Sequence, residues 1–352
     1  MTPAIKEAFT FQAHACGSLG SPFMERMLPL LPEAVTPGTT LAKKLLSWPE
    51  DVLGPQADSV PLRMAGGLHL LHLKGAAPGL SRVYPPNSTT DTELCDALRA
   101  ALRTHEASLL QTMESPPQTN EVRRASVLIA AAHWLTAALG KPLVTSEIGA
   151  SAGLNLNWDF FCLRAGSLTL GPEGAPVVLS PEWRGTPPIV CPPYLAEARG
   201  VDLRPIDVSN AAEATRLQSY LWPDQADRLA LTKAAIELFL APDTEGTLEE
   251  GDALPFLRDR LAPREGHCHM IYSTIAWQYL PEAARAEGAA MIAAAGEAAT
   301  DDAPLAWFRM EADGDAPGAG LSLLLWPGNR EISFGRVDFH GRWVDWQALS
   351  PT

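Results

Sequence analysis

The segment Glu147-Ile148-Gly149-Ala150-Ser151-Ala152-Gly153-Leu154 combines an acid, two glycines and a serine framed by small residues. Three chemistries use patterns of this kind. A dinucleotide site needs G-x-G-x-x-G, because a pyrophosphate must approach bare backbone at the second glycine. Ser151 stands where that second glycine should be and Leu154 where the third should be, so the spacing fails. A P-loop fails too, since no Gly-Lys-Ser/Thr follows. An α/β-hydrolase nucleophile elbow needs G-x-S-x-G, which Gly149 to Gly153 satisfies. Ser151 is then the nucleophile, and His340 lies late enough in the chain to be its base. Chain order opposes this, because an elbow serine follows a strand deep in an assembled sheet, whereas the residues before Glu147 read as helices and loops.

The third chemistry is an adenosyl site for S-adenosylmethionine. It needs an acid near a strand end and E/D-x-G-x-x-x-G, with small residues that let backbone lie against the ligand. Glu147, Gly149 and Gly153 meet that spacing, with Ala150 and Ser151 between them. The plain alternative is a tight turn packing a helix onto a strand. Two later acids add weight. Asp202 ends the run Arg199-Gly200-Val201-Asp202, where an α/β sheet hydrogen-bonds paired ribose hydroxyls, and Asp207 competes for that place. In Glu250-Gly251-Asp252-Ala253, the acid could accept from an adenine amino group. Taken singly, Asp202 and Asp252 read as surface or helix-capping acids.

On the acceptor side, Ser273, Gln278 and Tyr279 could orient a substrate that Trp277 walls in; equally, Trp277 and Tyr279 could simply pack a helix onto the sheet. Gln118-Thr119-Asn120-Glu121 precedes a long apolar helix, with Thr119 or Asn120 as its N-cap or as an edge of the crevice. His267 and His269 share a strand face but lack further ligands at zinc spacing, so they read as solvated strand-entry residues, and no metal is expected. His69 and His72 read as partly exposed helix residues.

These residues need a frame. Ser21-Pro22 reads as an N-cap with proline at the first helical position. Leu94, Leu98, Leu102 and Leu109 form one helical stripe. Gly140 stops the helix that starts near Asn120. The pattern then changes to strand, turn and helix from Leu143 to Leu163, and strands alternate with helices to the C-terminal side, as in a parallel sheet. Residues 166–198 are a Pro/Gly-rich insertion. Leu321–Trp326 and Ile332–Phe339 read as an antiparallel hairpin around Pro327-Gly328-Asn329.

Composition sets outer limits. The 352 residues are 46% hydrophobic and 19% charged, enough apolar material for a sizeable core. A net charge of −14 with no basic run disfavours nucleic acid as partner. Five cysteines without CxxC spacing suggest reduced thiols. No apolar run has membrane-spanning length, and the first residues lack a signal-peptide h-region, so no membrane association and a cytoplasmic location are expected.

The chain resembles the bacterial family known as domain of unknown function 2332, itself similar to class I S-adenosylmethionine methyltransferases. The likeness rests on Leu19-Gly20-Ser21-Pro22, Pro61-Leu62-Arg63, Gln118-Thr119-Asn120-Glu121, Glu147 to Leu156, Gly200 to Leu203 with Pro205 and Asp207, Trp222-Pro223-Asp224, Ser273 to Leu280 and His340-Gly341. The methyltransferase likeness covers only about residues 119–352. With residues 1–118 read as an α-helical region, it implies a mostly parallel, seven-stranded α/β domain of methyltransferase (Rossmann) type over 119–352 with an antiparallel C-terminal hairpin. It also implies methyl transfer to a small-molecule substrate. A serine hydrolase using Ser151 and a non-catalytic adenosyl-binding protein are the alternatives.

Overall fold

The computed structural model describes residues 1–54, 57–244 and 246–351. They form two compact units, Met1–Thr119 with Ser209–Ala230, and Asn120–Val208 with Leu231–Thr352.

The first unit is helical, and no described residue before Leu143 is in a strand. Ser21 caps the helix Pro22–Met27 by accepting from the Met24 amide, and Asp224 extends the cap by accepting from the Ser21 hydroxyl (2.5 Å) and the Phe23 amide (2.9 Å). That contact explains why Ser209–Ala230, which sequence alone assigns to the α/β region, joins the N-terminal helices. His69 adds to it. The ring is buried, not partly exposed, with Nδ1 facing the carbonyls of Ser219 and Leu221 at 3.1 and 2.8 Å. Leu94, Leu98, Leu102 and Leu109 enter the core of this unit as the stripe requires.

The second unit is α/β with a large, mostly parallel sheet. Its strands are β1 Leu143–Ile148, β2 Cys162–Ala165, β3 Leu168–Leu170, β4 Val178–Leu179, β5 Glu182–Gly185, β6 Leu195–Asp202, β7 Thr247–Glu250, β8 Cys268–Thr274, β9 Leu305–Glu311, β10 Ala319–Trp326, β11 Arg330–Val337 and β12 Trp343–Trp346. The main sheet has nine strands in the order β5-β12-β11-β10-β9-β8-β1-β6-β7, not seven. The two extra strands are β12, beyond the expected hairpin, and β5, from the Pro/Gly-rich insertion, which pairs parallel to β12. β3 and β4, also from the insertion, join β2 in a small sheet, β3-β2-β4, and the last residues of the insertion open β6. The β10–β11 hairpin is antiparallel as expected.

From β1 the main sheet grows to β6 and β7 on one side, then reverses to β8 and β9 on the other, all five parallel. Strand order therefore reverses at β1, and the crevice outside the carboxyl ends of β1 and β8 is where open α/β sheets bind ligands. The segment after Gly153 also differs from expectation. Gly153 is followed by a 3₁₀ segment, Leu154–Phe160, kinked at Asn157 (φ −99°, ψ 31°), and then by β2, instead of a helix. Asn155 and Trp158 are buried there, so the segment packs on all sides and the one-sided apolar stripe of a surface helix is missing.

Candidate functional site

At the end of β1 the backbone turns through Gly149 (φ +72°), Ser151 (φ +57°) and Gly153 (φ +72°). At the end of β8 it turns through Ile275 (φ +54°), a conformation that costs a β-branched residue appreciably. Backbone outliers of this kind persist where surrounding structure holds them, and they concentrate at functional sites. The two turns meet. A Cβ placed on Gly149 would lie 2.5 Å from the Cβ of Ala276.

Every amide from residue 149 to 154 already has an acceptor. Gly149 and Ala150 donate to the Val201 carbonyl (3.0 Å each), Ser151 to Asp202 Oδ2 (2.8 Å), and Gly153 to the Ala150 carbonyl (2.8 Å). Ala152 and Leu154 donate to Asn120 Oδ1 at 3.2 and 2.9 Å. Asn120 is thus a brace of the glycine turn and not a helix cap, and the helix begins only at Ala125. A loop with its N–H groups committed is no phosphate cradle, because such a cradle works by aiming them at the ligand.

The other cofactor candidates fall around this turn. Glu147 is buried beneath it and accepts from the Tyr272 hydroxyl at 3.2 Å. Burial pushes its carboxyl up to about 8 against the favourable Tyr272 contact. Asp202 is the last residue of β6, and its other oxygen accepts from the Arg204 amide at 2.9 Å. The Ile206 amide donates to the Ser151 carbonyl (3.2 Å), which leaves Asp207 exposed just beyond. Asp252 caps the helix Ala253–Arg260 through the Leu254 amide, and Gly251 beside it donates to the Asp202 carbonyl. Gly149 is exposed, whereas Gly153 is buried against Phe239, Leu156 and Leu248. The close approach at Gly153 is therefore to the protein's own side chains.

The acceptor candidates divide. Ser273 is fully buried on β8, and its Oγ has no hydrogen-bond partner among the described residues. Trp277 packs edge-on against Trp307 (centroids 5.2 Å apart) in the apolar core. The Gln278 side-chain carbonyl accepts from the Ala312 amide at 3.2 Å. Tyr279 is 66% exposed and does not close on the site. Glu311 holds this turn together by accepting from the amides of Ala276, Trp277 and Gln278. A groove of about 1040 Å³ opens beside it, lined by Trp277, Gln278, Arg285, Arg309, Ser322 and Ser333 among others, with none of Glu147 to Gly153 in its wall.

Arg124 ties the far side together, donating to the carbonyls of Thr274 (2.9 Å) and Phe339 (3.0 Å). The sequence pattern singles out Gln118 to Glu121 just before it but not Arg124 itself. His269 is buried against Ser146 (2.8 Å), whose Oγ accepts from Arg260, so it is a core histidine and not a solvated strand-entry residue. Desolvation holds its ring at about 3, hence neutral. No group of three or more His, Cys, Asp or Glu that could hold a metal occurs among the described residues, and their five cysteines are free. No helix among them is long and apolar enough to cross a membrane.

A family model described as an uncharacterized protein conserved in bacteria (DUF2332) matches residues 6–346. No curated protein and no solved structure matches the chain.

Proposed function

The chain belongs to that family, and from its site we propose that it binds the adenosyl portion of S-adenosylmethionine at the β1/β8 switch point and directs methyl transfer to a small molecule. The observation carrying this reading is the meeting of the Ser151 and Ile275 turns at the strand-order reversal, with Asp202 ending the neighbouring strand.

The residues fit such a group. Gly149 presents exposed backbone, and an adenosyl group with its sulfonium needs no row of free N–H donors. Asp202, a carboxylate at the end of β6 beside the glycine turn, is of the type that accepts from ribose hydroxyls. Asp252 Oδ2 has no hydrogen bond among the described residues and could accept from an adenine amino group. When bound, S-adenosylmethionine supplies an electrophilic methyl group. The protein's part is alignment in a dry pocket, with Trp277 as wall and Ser273 and Gln278 as orienting groups.

A second reading has one observation in its favour. Ser151 sits in G-x-S-x-G at positive φ, as on the sharp turn of an elbow, although its Oγ is buried and has no hydrogen-bond partner among the described residues where an elbow nucleophile would meet its base. The oxyanion hole of that mechanism uses the amide of the next residue, and the Ala152 amide is given to Asn120. Labelling of Ser151 by a fluorophosphonate, absent in Ser151→Ala, would replace the methyltransferase reading with this one.

Saturating S-adenosylhomocysteine, at a hundred times its Kd, should stabilise the protein by about 2.7 kcal/mol. The melting temperature should then rise by roughly 5–10 °C. Asp202→Asn, which keeps an acceptor for the Ser151 amide but removes the charge, should reduce that rise. An unchanged melting temperature in the unmodified protein rejects the cofactor. A rise without turnover of the intact methyl donor leaves the non-catalytic adenosyl-binding protein.

A further inference from the structure

The groove beside Gln278 has an ordered floor. Strand register places Ser273 opposite Arg309, Arg309 opposite Ser322, and Ser322 opposite Ser333. Directly opposed residues project from the same sheet face. A single polar rung, Ser-Arg-Ser-Ser, therefore crosses β8, β9, β10 and β11.

Arg309 is the unusual member. Its Nε is buried without a hydrogen-bond partner, and the side chain makes no hydrogen bond or ion pair among the described residues. The guanidinium carbon stands 4.4 Å from the Trp307 ring centroid, which holds it in place. Trp307 Nε1 and Ser273 Oγ are likewise buried without partners. Buried donors without acceptors are rare in folded proteins, and each asks for a reason. The other arginines at the groove are occupied. Arg336 forms a two-pronged pair with Asp313, and Arg285 donates to the Gln278 carbonyl.

We infer that the Arg309, Ser322 and Ser333 members of this rung are the floor of a binding site for a small-molecule monocarboxylate, held in the groove by the Arg309 guanidinium. A planar guanidinium offers two parallel N–H donors that match a carboxylate, and the flanking Ser322 and Ser333 can donate to the same group. Glu311 and Glu331 lie within electrostatic reach of Arg309. They oppose a doubly charged phosphate more strongly than a singly charged carboxylate, which selects the weaker anion. The groove, at about 1040 Å³, has room for such an acid together with a larger organic portion. That this acid is the methyl acceptor rests on the function proposed above; the carboxylate site does not.

The test is fluorine NMR titration of the full chain, without adenosyl ligand, using fluoroacetate, 4-fluorobenzoate and 4-fluorophenylacetate, each paired with its primary amide. At least one acid should bind, and its amide should bind about tenfold more weakly or worse. Arg309→Gln should weaken that acid by about tenfold or more, and Arg309→Lys should restore part of the loss. Ser333→Asp, at an exposed position where folding is not at stake, should also weaken it by adding a like charge to the floor. The proposal is overturned if none of the acids binds, if an amide matches its acid, or if either Arg309→Gln or Ser333→Asp leaves affinity unchanged. It is also overturned if inorganic phosphate displaces the acid while binding more tightly than it. Failure of S-adenosylhomocysteine to bind, with the acid still bound, would reject the cofactor reading alone.

Discussion

Asn120→Ala should destabilise the α/β unit by about 2–4 kcal/mol, with a fall in melting temperature of roughly 5–15 °C. Asn120 Oδ1 accepts from two amides, those of Ala152 and Leu154, and both residues are fully buried. An orphaned buried donor costs about 1–3 kcal/mol, because water cannot replace the lost acceptor. Two such donors lie within three residues of one strained turn, so the variant should loosen the turn as well as weaken the fold. Ser151→Ala in the same turn removes an unpartnered hydroxyl and should cost far less. Urea denaturation of the two variants decides the matter. A loss below about 0.5 kcal/mol for Asn120→Ala would mean that the turn does not depend on this brace, since surface changes typically stay within that range.

Glu147→Gln should change how stability depends on pH, with the variant gaining on the parent as pH rises. The Glu147 carboxyl has its ordinary value of 4.5 in the unfolded chain and about 8 in the folded one. Between those limits the folded protein holds a proton that the unfolded chain releases. Stability contributed by this group is therefore present below about 4.5 and is lost as pH rises towards 8, by roughly 1.4 kcal/mol per pH unit. Glutamine keeps an acceptor for Tyr272 and carries no titrating proton. The two proteins should be close at pH 5, and the variant should lead by a few kcal/mol at pH 8. Desolvation holds His69, His133 and His269 well below the usual histidine value, which has the opposite sign: their contribution is lost as pH falls below about 6.5. Both proteins contain them, so they cancel in the difference. Parallel stability curves from pH 5 to 8 would show that Glu147 titrates normally.

Several features were readable in the amino-acid order because their causes are local. Ser21-Pro22 caps a helix and Gly140 ends one in the left-handed conformation, since a missing donor or a positive φ restricts residue type at that one position. The hairpin at Pro327-Gly328-Asn329 and the helical stripe through Leu94, Leu98 and Leu102 follow from periods of two and of about three and a half residues. The strand running into Gly149 and the strand ending at Asp202 belong here too.

Other features had no local cause. The pairing of β5 with β12 joins segments about 160 residues apart, and neither carries a strong strand pattern. The attachment of Ser209–Ala230 to the N-terminal helices depends on the carboxylate of Asp224 reaching Ser21 and Phe23. Residue type did not separate the buried His69 and His269 from solvated histidines, because burial of a polar ring is decided by its partners. The amino-acid sequence by itself therefore determined the turn chemistry, the change from helices to an α/β pattern, and where acids stand at strand ends. Only the tertiary structure decided which donors of the glycine turn are already spent and which polar residues share a face. Nothing in the spacing of Ser273, Arg309, Ser322 and Ser333 says that they form one rung, because register is set by the summed packing and hydrogen bonding of whole strands and not by any one residue in them.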